Sequence, residues 1–145
     1  MSRVPVVLAG HGGYADGVRG TAEMIVGPQR GVECVSLPPD GDVEQVAADL
    51  RRALERLGTG DGGALVLVDL AGGSPANAAG RIALTDPRVQ VVAGLNLPMV
   101  LEVLTSTEPT AAALADVARG AGRDGVVDVA ARLRAAAATA REATP

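Results

Sequence analysis

The chain has 145 residues, the size of one compact domain, and 48% of them are hydrophobic, which excludes a disordered polymer. The formal net charge is −4, and there is no Phe, no Trp, no Lys and only one Tyr. A nucleic-acid partner is therefore not expected, because phosphate contacts and base stacking need basic and aromatic side chains. No apolar stretch approaches the roughly 20 residues that span a bilayer.

Residues 4–9 form a short β-rich apolar run that stops at Gly10-His11. It is too short for a secretion signal and is read as strand one. Residues 14–26 follow as a crossover helix and residues 32–37 as strand two. Cys34 in that strand is the only cysteine, so no intrachain disulfide can form, as suits a reducing cytoplasm. It is read as a small core residue.

Val43, Val46, Ala47, Leu50, Leu54 and Leu57 recur at three- and four-residue steps and make one helical apolar stripe. Asp42 suits the N-cap of that helix, with Gln45 three residues on, and Gly58 suits its stop. Residues 65–68 read as strand three, 75–84 as a helix and 89–93 as strand four. Strands one, three and four are nearly continuous apolar runs, the pattern of strands covered on both faces. Helical patterns over 98–105 and 110–120 come next, then a short apolar run at 126–129. The Ala- and Arg-rich segment 130–145 suits a terminal helix or a frayed extension. The alternation predicts an α/β fold: an open, mostly parallel, doubly wound sheet with helices on both faces. The expected domain covers residues 1–129, and 130–145 form a tail.

Ligands of open α/β sheets bind outside the carboxyl ends of the strands. The only histidine, His11, is expected just past strand one, and Asp69 at the end of strand three. An imidazole is a good nucleophile near neutrality. A carboxylate bonded to one ring nitrogen fixes the tautomer and frees the other nitrogen to attack. Asp69 ends an apolar run, where a charge needs a reason. Ser74 followed by Pro75 reads as an N-cap and first helical position. A helix N-terminus there would seat a phosphoryl group. Gly72 and Gly73 permit close backbone approach, as do Gly10, Gly12 and Gly13 around His11. Each feature alone has a structural reading; their joint placement at strand ends favours chemistry. A rival reading is a nucleotide loop, since residues 10–15 fit G-x-G-x-x-A. Its acidic partner is misplaced, with Glu33 near the start of strand two and Asp40 beyond Pro38-Pro39.

Five segments in order resemble one family. They are Gly10-His11-Gly12; Thr21-Ala22-Glu23-Met24 with Gly27; Leu67-Val68-Asp69 with Gly72-Gly73-Ser74-Pro75, Asn77-Ala78-Ala79 and Arg81-Ile82; Ala93 to Met99 with Glu102; and Gly122-Arg123-Asp124-Gly125-Val126. From about Val4 to Val127 the chain resembles the enzyme IIA component of the mannose-family sugar phosphotransferase system. The resemblance implies a phosphotransferase whose His11 accepts phosphate from the phosphocarrier HPr. It passes the group to a IIB subunit on another chain, which serves membrane IIC and IID subunits. It assigns Asp69 to the second ring nitrogen and Ser74 to the phosphate, which Gly12, Gly72 and Gly73 are also expected to bind on the strength of their close backbone approach. It implies a homodimer that exchanges a C-terminal strand, here at residues 126–129, and no metal or organic cofactor. Three positions depart from the family pattern: Gly10, where a small hydroxyl residue is usual, and Ala71 and Ala76, where larger residues occur. The same site residues would also serve a regulatory module whose phosphorylation state is read by a partner without sugar transport.

Overall fold

The computed structural model describes residues 3–144. Four strands and six helices alternate through most of the chain. They are β1 (Val6–His11), α1 (Tyr14–Val26), β2 (Val32–Leu37), α2 (Val43–Leu57), β3 (Ala64–Val68), α3 (Ser74–Thr85), β4 (Val89–Ala93), α4 (Leu97–Thr105), α5 (Ala111–Asp124) and α6 (Val129–Ala143). All strand pairs are parallel, in the order β2-β1-β3-β4. This is the expected α/β doubly wound fold.

Two apolar layers sandwich the sheet. Val6, Leu8, Leu65 and Leu67 face α1, α4 and α5, while Val7, Ala9, Val66 and Val68 face α2 and α3. The alternation along each strand is the pleat itself: neighbouring side chains point to opposite faces. Without Phe or Trp, the core is filled by Val, Leu, Ile, Ala and Met. Local signals set the helix ends where side chains act directly. The Asp42 carboxylate accepts from the Gln45 N–H, and Gly58, at φ 78°, ends α2.

Two expectations need correction and two need qualification. Strand one does not end before His11, because β2 pairs with it as far as Gly10↔Ser36 and His11↔Leu37; His11 is its last residue. Strand four has α3 on one face and α5 on the other, but its cover is incomplete. It lies at the sheet edge, and of its five residues only Val89 and Val92 are buried. Ser74 does not cap α3. Gly73 is the N-cap in extended conformation, Ser74 is the first helical residue and Pro75 the second. Residues 126–128 form no strand within the chain, and Val129 opens α6 instead. Asp128 explains that change, since its carboxylate accepts from the Ala131 N–H and caps a helix. No residue of α6 is buried.

The strand order determines where a site can form. The chain leaves β1 for β2 on one side and later returns to β3 on the other. The carboxyl ends of β1 and β3 therefore flank the point where the order reverses, and a crevice opens there.

Candidate functional site

His11 ends β1 and Asp69 follows directly on β3, whose neighbour is β1. The Asp69 N–H donates to the Ala9 carbonyl at 3.1 Å, which extends the ladder by one bond and aims the carboxylate back across β1. One oxygen, Oδ2, then accepts twice: from the His11 backbone N–H at 2.9 Å and at the ring Nδ1 at 2.8 Å. Gly10 makes room, because a Cβ there would stand 3.1 Å from that oxygen.

Burial pushes the Asp69 carboxyl upward, but the His11 backbone and ring hydrogen bonds, the His11 charge and the Leu70 backbone together hold it below the usual carboxylate value. Asp69 is therefore ionised near neutrality and can only accept. The proton of the shared hydrogen bond sits on Nδ1, so a neutral His11 ring keeps its lone pair on Nε2. The His11 side chain is 48% exposed and that of Asp69 only 11%. The acceptor is sheltered and the ring faces outward. Oδ1 of Asp69 is buried without a hydrogen-bond partner in the chain.

The start of α3 lies against the free edge of the ring. A Cβ at Gly73 would fall 2.9 Å from His11 Cε1 and 3.5 Å from Nε2, so only glycine fits without displacing the ring. The first helical turn leaves the N–H groups of Ser74 and Ala76 without helical acceptors, and Pro75 has none to leave. Gly12 and Gly72 have a different reason to be glycine. Their φ angles are +53° and +83°, where other residues are strained.

The structure thus brings His11, Asp69, Gly73 and the first residue of α3, Ser74, to one crevice, with Gly12 and Gly72 shaping its two loops. Three neighbours escaped the sequence reading. The Gly12 N–H donates to the Leu37 carbonyl at 2.9 Å, and the Tyr14 hydroxyl donates to the Leu95 carbonyl at 2.5 Å. Leu70, beside Asp69, is 61% exposed. Backbone acceptors carry no residue-type signal; only Tyr14, the sole aromatic residue, stood out. Among the described residues, no three His, Cys, Asp or Glu side chains converge as a metal set.

The family model described as "PTS system fructose IIA component" matches residues 5–119. The mannose-specific EIIAB component of Escherichia coli K12 is 36% identical over an alignment that covers 98% of this chain and 46% of that protein. The chain thus spans about half the length of that relative. The fructose-specific EIIA component of Bacillus subtilis is 31% identical over 72% of this chain and 71% of its own. Among solved structures, the mannose/sorbose-specific IIA subunit from Enterococcus faecalis superposes with a TM-score of 0.82. It is 31% identical and covers 88% of this chain and 96% of its own. With the crevice set where β1 and β3 end and the family model covering most of the chain, this protein belongs to the mannose-type IIA family of the sugar phosphotransferase system.

Proposed function

We propose that this chain is a phosphoryl carrier of a sugar phosphotransferase system. His11 accepts the group from phosphorylated HPr and passes it to a IIB subunit on a separate chain, which in turn serves the membrane subunits. One observation carries the reading. Asp69 Oδ2 holds Nδ1 at 2.8 Å and leaves Nε2 free beside the start of α3.

The chemistry follows from that arrangement. The Nε2 lone pair attacks phosphorus in line, the bond to the donor nitrogen breaks, and the donor ring keeps that electron pair. The proton on Nδ1 stays in place. Phosphorylation at Nε2 puts positive charge on the ring, and the ionised Asp69 stabilises it. Unpaired N–H groups and the Ser74 hydroxyl at the positive end of α3 face the transferred oxygens. Return transfer to a IIB nucleophile uses the same groups in reverse. The half-exposed ring suits a relay between two proteins better than a closed small-molecule site.

Two further parts of the proposal concern assembly and place. The open edge of β4 and the exposed Val126 and Val127 support a homodimer in which residues 126–128 of each copy pair with the partner. A cytoplasmic location is supported by the unpaired Cys34 and by the lack, among the described residues, of a helix long and apolar enough to cross a membrane.

The test is phosphorylation by labelled, phosphorylated HPr. An acid-labile, base-stable label on the wild type that His11→Ala abolishes is expected. No label, or equal label on His11→Ala, would overturn the proposal.

A further inference from the structure

We propose that Tyr14 is a positioning residue for His11, pinning the glycine-rich turn that carries the histidine to the loop after β4.

The observation is a closed circuit of bonds. From His11 the chain runs through Gly12 and Gly13 to Tyr14, the first residue of α1. The Tyr14 hydroxyl donates to the Leu95 carbonyl. The Leu95 N–H donates to the Val68 carbonyl at 3.0 Å. Val68 precedes Asp69, whose Oδ2 returns to His11. The β1–α1 turn, the end of β3 and the β4–α4 loop are thereby tied into one ring.

The turn needs such a tie. Gly12 and Gly13 are the two residues between His11 and the helix, and a Cβ at either would meet nothing within 4 Å. The Gly13 carbonyl accepts from the Gly17 N–H at 3.0 Å as the N-cap of α1, but neither glycine has a side chain to pack, and glycine has the widest conformational freedom. One anchor lies on the β2 side, where the Gly12 N–H donates to the Leu37 carbonyl. Tyr14 supplies the other, on the β4 side. The residue is 43% exposed, so it is not explained by core filling alone.

The kinetic part of this inference rests on the carrier reading; the structural part does not. Tyr14→Phe keeps the ring and removes the bond. The turn then gains freedom, and the productive orientation of His11 becomes less populated. One neutral hydrogen bond corresponds to a loss of about three- to tenfold. The expected result is that much loss in kcat for labelling by phosphorylated HPr, with KM for HPr unchanged.

Two readouts separate positioning from general weakening. In nitrogen-15 NMR, the His11 Nδ1–H signal should exchange with water faster in Tyr14→Phe than in the wild type. Gly13→Ala, at φ −84° and with open space around its Cβ, should stiffen the turn and restore part of the rate in the Tyr14→Phe background. An unchanged Nδ1–H signal and an unchanged kcat would overturn the inference, as would a rate loss that Gly13→Ala does not relieve. If the wild type takes no label, the carrier reading fails, and the NMR comparison still decides the role of Tyr14.

Discussion

Asp69 holds His11 through a single oxygen that accepts from both the backbone N–H and Nδ1, at 2.9 and 2.8 Å. The backbone bond fixes where the strand end sits relative to the carboxylate. The ring bond fixes how the imidazole is turned. The two residues thus brace each other across the sheet, although 58 residues separate them in the chain.

Asp69→Asn is expected to slow labelling of His11 by about ten- to a hundredfold. A hydrogen bond to a charged group is worth about 1.5–3 kcal/mol, and the amide also offers an N–H where the ring needs an acceptor. Stopped-flow measurement with phosphorylated HPr reads this directly. An unchanged rate would remove Asp69 from the mechanism.

Gly73→Ala separates activity from stability. The added Cβ would approach His11 Cε1 to 2.9 Å, so the ring must swing away from Asp69. Gly73 itself has φ −79°, which alanine adopts freely, and the ring is half exposed and free to move. Labelling should fall about tenfold or more, since a misplaced reacting group of about 1 Å carries costs of that order. The melting temperature should stay within a few degrees of the wild type. A variant as active as the wild type would show that α3 does not border the reacting nitrogen.

Acid should weaken the protein through Asp69. Its native carboxyl lies below the usual value, so the carboxylate stabilises the fold above the ordinary carboxylate range. That stabilisation is lost as pH falls through the native value. Denaturant midpoints of the wild type and Asp69→Asn should therefore differ at pH 7 and converge well below about pH 4, the ordinary carboxylate value. A gap that persists or widens in acid would contradict the assignment of Asp69 as an ionised acceptor.

How far the sequence foretold this site depends on which interactions are local. The Asp42 cap and Gly58 stop of α2 are legible because cap and partner lie within one turn. The alternation of strands and helices is legible for the same reason. The meeting of His11 and Asp69 is not local; it required β1 and β3 to be neighbours, which the strand order decides. That β4 is an edge strand depends on the same order, so its apolar run did not reveal that its cover is only partial. The Ser74-Pro75 pair carried a true helix start but not its phase. Gly73 is already extended, and the helix begins one residue earlier than the serine-cap pattern implies. The Tyr14 contact was illegible because its acceptor is a backbone carbonyl 81 residues away.

The segment before α6 yields the last prediction. Val126 and Val127 are 81% and 37% exposed, and residues 126–128 make no strand in the chain. The outer edge of β4 has no neighbouring strand in the chain. An apolar edge and an extended apolar segment left uncovered in one molecule suit pairing between two. Sedimentation at micromolar concentration should show a dimer for the wild type. Val127→Pro should shift it to monomer, because proline has no N–H to give to a ladder. The substitution should leave the chain folded, because Val127 lies outside every helix and strand of the single chain. A wild type that sediments as a monomer, or a Val127→Pro variant that stays dimeric, would remove this segment from the assembly. Labelling of His11 in a monomeric variant would further show whether the carrier site is complete within one copy, as the His11, Asp69 and Gly73 geometry implies.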